Sequence, residues 1–168
     1  MAAFAKEANK AAKELKTTTK QYAEASLIFY QQGLSETEVA KRAETVIRLA
    51  QVTNETAASV SDQMTAIWNN FDDGTKSLEY YADAMAKLGA DTAASTSEIA
   101  TSLEKFAAVA DTVGLSYETA MSSVATVIDK TRQSASVVGT AFKTIFARVQ
   151  GLSLGETLED GVTLNKYS

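Results

Sequence analysis

Apolar residues recur along the chain at steps of one, three and four, the spacing that lines one face of an α-helix, and nowhere alternate with period two over a strand's length. The spacing predicts a helix over most of 2–30, with Phe4, Leu15, Tyr22, Leu27, Ile28 and Tyr30 and a weak point at Thr17-Thr18-Thr19. A second helix is predicted from Ser35 to about Ala50. A third, Ala57 to Phe71, carries Val60, Met64, Ile67, Trp68 and Phe71. Ser77 to Leu88 presents Leu78, Tyr81, Ala82, Met85 and Leu88 on one face, with Gly89 read as its end, and the helix that follows buries Ile99, Leu103, Phe106 and Val113. Two more helices fill the stretch from Gly114 to Gln150. In the last of them Val137, Val138, Ala141, Phe142, Ile145, Phe146 and Val149 form one broad stripe.

Punctuation between these segments is specific. Gln32-Gly33-Leu34-Ser35 and Val113-Gly114-Leu115-Ser116 each end one helix and start the next: a glycine beyond the last turn takes a left-handed conformation without a Cβ clash, and a serine hydroxyl accepts a free amide of the following turn. Leu115 is placed as a hydrophobic staple, and Glu118 puts negative charge at the positive end of the helix dipole. Ser35 with Glu38 and Ser95 with Glu98 have the spacing of capping boxes. Thr53-Asn54-Glu55 and Thr131-Arg132-Gln133-Ser134 interrupt the apolar pattern, and Asp72-Asp73-Gly74 is a turn that needs a positive φ.

Laying the two Gly-Leu-Ser sites over one another reveals an internal repeat. Thr45-Val46-Ile47 then matches Thr126-Val127-Ile128, and Ile67-Trp68 matches Ile145-Phe146 once three residues are dropped from the middle turn. The offset is 116 − 35 = 81, falling to 145 − 67 = 78. The expected fold is all-α, an elongated bundle of helical hairpins with two related helix-turn-helix units. The expected organisation is an N-terminal helix over 1–32, a first hairpin unit over 33–74, linking helices over 75–113, a second hairpin unit over 114–151 and a C-terminal tail over 152–168.

Composition narrows the chemistry. The 168 residues contain no proline, cysteine or histidine. A disulfide framework and a thiolate metal site are therefore excluded, and the usual zinc ligand and general base are missing. The net charge of −5 divides as +2 over 1–53, −6 over 54–110 and −1 beyond, which argues against general nucleic-acid binding. No stretch approaches the ~20 apolar residues of a membrane span, and Met1–Ala12 lacks the apolar core of a signal peptide.

Gly151-Leu152-Ser153-Leu154-Gly155 has the GxSxG spacing, yet no histidine exists to activate Ser153 and no strand precedes it. Asp72 and Asp73 lack the regular oxygen spacing of a calcium loop and read as a plain turn. Lys130, Arg132, Lys143 and Arg148 are expected to be a solvated face, with a basic strip for DNA or a partner as the alternative. For Phe142, Ile145, Phe146 and Val149 core packing is the expectation and a partner-binding face the alternative. No catalytic, cofactor-binding or metal-ligating residues are assigned.

Several runs carry a resemblance. Tyr80-Tyr81-Ala82-Asp83 to Lys87-Leu88-Gly89-Ala90, Ser95-Thr96-Ser97-Glu98-Ile99, Val113-Gly114-Leu115-Ser116-Tyr117, and Thr131-Arg132-Gln133-Ser134 through Gly139-Thr140-Ala141-Phe142 to Gln150-Gly151-Leu152 closely resemble the core region of phage tail tape measure proteins. The resemblance also takes in Gln31 to Phe71. It implies a long helical protein in the lumen of the virion tail, assembled in the host bacterial cytoplasm, that sets tail length and leaves ahead of the DNA. The chain is then expected to be a segment of a longer protein. The family brings no catalytic residues; the implied partners are the protein itself, the tail-tube wall and tail assembly chaperones. A bacterial helical interaction module, such as a secreted effector or delivery helper, is the alternative, and an enzyme is disfavoured by the missing histidine and cysteine.

Overall fold

The computed structural model describes residues 2–153, with side chains from 5 to 150. Among the described residues there are eight α-helices and no strand: α1 (Ala2–Glu14), α2 (Thr19–Gln31), α3 (Glu36–Thr53), α4 (Ala57–Phe71), α5 (Leu78–Asp91), α6 (Thr96–Thr112), α7 (Tyr117–Thr131) and α8 (Ala135–Ser153). The expected C-terminal tail lies outside them but for its first two residues.

Local chemistry sets most of the boundaries. Thr18, Ser35, Thr56, Ser77, Ser95 and Ser116 are extended N-caps whose hydroxyls accept the amide three residues on, relieving first-turn donors that have no partner within the helix. Both expected capping boxes form, and a third joins Thr18 to Gln21. Gly33 and Gly114 adopt φ of +78° and +73° just beyond α2 and α6. There Leu34 and Leu115 donate their amides to Phe29 and Ala110, five residues back, closing the last carbonyls.

Three expectations change. The N-terminal helix over 1–32 is two helices, because the third capping box starts α2 at the predicted weak point and Lys16, at φ 52°, turns the chain. Gly89 does not end α5 but lies inside it. A Cβ there would collide with the hydroxyl and amide of Thr96, so the glycine permits close approach of the next helix start. The three residues missing from the second repeat come out of helix rather than turn: α3 has 18 residues and α7 has 15.

Tertiary contacts join helices one or two places apart in the chain, with a minor contact between α3 and α6. The helices thus form two rows. In one, α2 lies on α4, α4 on α6 and α6 on α8; in the other, α3 lies on α5 and α5 on α7. Starts along the first row fall at 19, 57, 96 and 135, intervals of 38, 39 and 39. The molecule is therefore a one-dimensional stack of hairpins, in which each unit completes its core against the next. Trp68 of α4 sits at the middle of this core, 2% exposed. Its ring centroid is 6.1 Å from that of Phe29 on α2, the Arg42 guanidinium lies 4.7 Å from it, and its indole N–H donates to the Leu78 carbonyl at 3.2 Å. Burying each such side chain is worth about 1.5–3 kcal/mol.

Candidate functional site

The residues that sequence reading marks for chemistry are mostly engaged in structure. Asp72 accepts the Gly74 amide and Asp73 the Thr75 amide, each at 3.0 Å, so both carboxylates shape the turn that joins α4 to α5. Gly74 has the expected positive φ, +78°. No group of three or more acidic residues among those described is arranged to hold a metal ion. The Ser153 side chain and Gly155 lie outside the described residues.

The four basic residues do not converge. Lys130 pairs with its neighbour Asp129 at 3.3 Å. Arg132 caps α7 at φ 54° and donates to the Ala93 carbonyl at 2.7 Å, holding the α7–α8 turn against the α5–α6 connection. Lys143 and Arg148 are exposed on α8, five residues apart, which places them about 140° from each other around the helix.

A different cluster has no motif in the sequence. Glu118, in the first turn of α7, accepts both the Lys76 ammonium and, at 2.7 Å, the Tyr80 hydroxyl. These two donors hold its carboxyl down at about 2. Beneath it the Tyr117 hydroxyl donates to the Tyr81 carbonyl at 2.5 Å, and burial pushes the Tyr117 phenol far up. The Tyr81 hydroxyl in turn donates to the Phe71 carbonyl at 2.9 Å. Together these bonds clasp α7 to the α4–α5 turn beside a concavity of about 470 Å³ lined by Asn69, Asp73, Asp111 and Glu118. Lys76, Tyr80, Tyr81, Tyr117 and Glu118 direct their polar groups to one another and to the backbone, and the cluster works as a fastening. Glu118 alone is legible in the sequence, as dipole charge; Lys76 lies far upstream, before α5, and only the fold brings it close.

The broad stripe of α8 divides between core and surface. Val138 is buried and Gly139 lies so close to α6 that a Cβ would fall 2.6 Å from the Ser102 carbonyl. The Ser102 hydroxyl donates to the Ala135 carbonyl at 2.8 Å, and Phe106, Phe142 and Phe146 stack with centroids 5.2–5.9 Å apart. Val137 and Ile145, by contrast, are 54% and 53% exposed. A wide groove opens between α7 and α8, lined by Ser122, Thr126, Val127 and Phe142. No helix among the described residues is long and apolar enough to cross a membrane.

Comparison with known proteins decides the setting. The model of one family, phage-related minor tail protein, matches residues 5–166. The chain belongs to that family. No curated protein and no solved structure matches it. As a phage-related minor tail protein it is a virion-associated, structural component of the tail.

Proposed function

We propose that this minor tail protein is a segment of the tape measure, the protein that sets tail length during assembly in the host cytoplasm, occupies the tail lumen and leaves before the DNA. The observation that carries the reading is the near-constant interval between helix starts along the stacked row, with contacts confined almost wholly to neighbouring helices. Such an array extends or pulls apart unit by unit, so its span follows the number of residues, as a ruler requires. The partners we assign are further copies of the chain, the tail-tube wall and tail assembly chaperones. We also read the hairpins over 33–74 and 114–151 as duplicated units. The 1–32 and 75–113 helices flank them, and the tail over 152–168 follows. The paired glycine turns at Gly33 and Gly114 and serine caps at Ser35 and Ser116 support this.

Duplicating Ser35 to Leu115 in frame tests the ruler. Drawn out as continuous helix, the insert of about 80 residues spans about 120 Å; packed as two further hairpins, at about 8–10 Å between stacked axes, it adds only about 20 Å. Electron micrographs of tails should show one of these increments, and which one reports whether the stack is pulled open in the tube. Unchanged tails, beside proportional changes from insertions elsewhere in the reading frame, would make this segment a passenger. Unchanged tails from every insertion would end the tape measure reading and favour a helical interaction module.

A further inference from the structure

We infer that the stack carries a built-in joint between α3 and α4, at which α1–α3 part from the rest as one unit while α4–α7 stay interlocked. The inference goes beyond the proposed function and stands on the bonds between hairpins alone. One continuous apolar core runs through the stack, so burial by itself singles out no boundary. Polar bonds do.

Among the described residues a single side-chain hydrogen bond crosses from 1–54 to 55–150, that of Gln32 to Thr65 at 3.3 Å on the surface. Between α3 and α5 lies a groove lined by Leu49, Val52, Ala82 and Ala86. Past Asn54, which turns the chain at φ 58°, the bonds multiply. Glu55 accepts the hydroxyls of Ser59 and Ser97 and the Gln63 amide, and Gln63 also donates to Thr101 at 3.3 Å, so the start of α4 is tied to the start of α6. In the other row α7 is strapped to both ends of α5. Lys76 and Tyr80 hold Glu118 at one end; at the other Asp129 accepts the Ala93 amide at 3.2 Å and Arg132 donates to the Ala93 carbonyl at 2.7 Å. Between these straps Tyr117 donates to the Tyr81 carbonyl.

The joint also holds a group better served by water. Arg42 of α3 lies over Trp68 with its Nε buried and without a hydrogen-bond partner. Gln63 Oε1 at the α4–α6 contact is likewise unpartnered, but a neutral amide oxygen costs less to bury than part of a guanidinium. Parting the joint therefore gives up one surface hydrogen bond and hydrates Arg42, whereas parting α4–α5 from α6–α7 breaks every strap just named.

Hydrogen exchange read by mass spectrometry, on the whole chain and on Tyr117→Phe, tests the joint. In the parent the slowest amides of α1, α2 and α3 should share one rate, at least about tenfold above that of the slowest amides of α4–α7. Tyr117→Phe removes a bond inside α4–α7 and none at the joint, so it should speed exchange there about threefold or more while α1–α3 keep the parent's rate. In urea the emission of Trp68, the only tryptophan, should shift to the red in the same early step, because Phe29 and Arg42 leave its ring. One rate throughout α1–α7, or equal acceleration of both groups by Tyr117→Phe, would make the stack a single cooperative unit and overturn the joint. Fast exchange in α1 and α2 with α3 as protected as α4 would overturn it too, as fraying, and so would an early step that leaves Trp68 emission unchanged. None of these outcomes bears on tail length, so the ruler and the joint stand or fall separately.

Discussion

The hairpin α3–α4 and the hairpin α7–α8 share their local chemistry and differ in burial. Gly33 and Gly114 turn with nearly the same φ, Ser35 and Ser116 each accept the amide three residues on, and Asn54 and Arg132 sit at φ of 58° and 54° between the paired helices. Yet Ile67 and Trp68 are 0% and 2% exposed, whereas their counterparts Ile145 and Phe146 are 53% exposed and half-buried. Thr45-Val46-Ile47 is wholly buried; of Thr126-Val127-Ile128 only Ile128 is. Helix α4 of the inner hairpin lies between α2 and α6 in its row, whereas α8 of the outer hairpin has α6 alone. A repeated pattern thus makes repeated helices, while depth of burial belongs to position in the stack. The outer hairpin has one fastening of its own: Glu118, which Lys76 and Tyr80 hold, corresponds to Thr37 in the inner one.

The largest expected contrast is at the matched apolar pair. Trp68→Ala should cost about 3–5 kcal/mol and Ile67→Ala about 2–5 kcal/mol in urea unfolding followed by circular dichroism, whereas Ile145→Ala should stay within about 0.5 kcal/mol. Comparable losses at Ile67 and Ile145 would mean that α8 is covered in solution.

Gly139→Val should separate α8 from α6 and cost about 1–3 kcal/mol by overpacking against Ser102. Hydrogen exchange would show faster exchange of α8 amides with α4 amides still protected. Equal acceleration in both helices would mean that the stack melts as one unit rather than from its end.

Gly33→Val and Gly114→Val should each cost about 1–2 kcal/mol, because a β-branched residue fits positive φ poorly. An added Cβ meets nothing within 4 Å at either site, so backbone strain alone sets the penalty and the two values should agree. Unequal midpoints in urea melts would break the equivalence of the two turns.

The smallest effect concerns acid. Glu118 has a folded-state value near 2 against an ordinary 4.5, so its contribution is present above about pH 4.5 and disappears as pH falls toward 2. The carboxylate is 41% exposed, and screening keeps the effect small. Thermal melts should show Glu118→Gln below the parent at pH 7 and level with it near pH 2. A gap that persists in acid would place the effect in packing rather than charge.

Every break between helices but one is legible in the sequence; the α1–α2 boundary shows there only as a weak point. Its signal, Thr18 three residues before Gln21, is the same capping spacing that marks Ser35 and Ser95. The candidate surface is legible in part. The α8 stripe stands out by periodicity, but nothing along the chain says which of its residues α6 covers, and the Lys76–Glu118 clasp has no local signature at all.

Helix type, helix ends and turn conformation follow from interactions among close neighbours along the chain, and for these the sequence by itself suffices. Gly114 must be left-handed and Ser116 must cap whatever lies around them. Which apolar faces become core, why Gly89 and Gly139 are needed inside helices, and which hairpin is left open are decided by contacts between different helices. Ile67 and Ile145 carry the same side chain in the same local pattern, and only the presence of a helix on the far side separates a core residue from an exposed one.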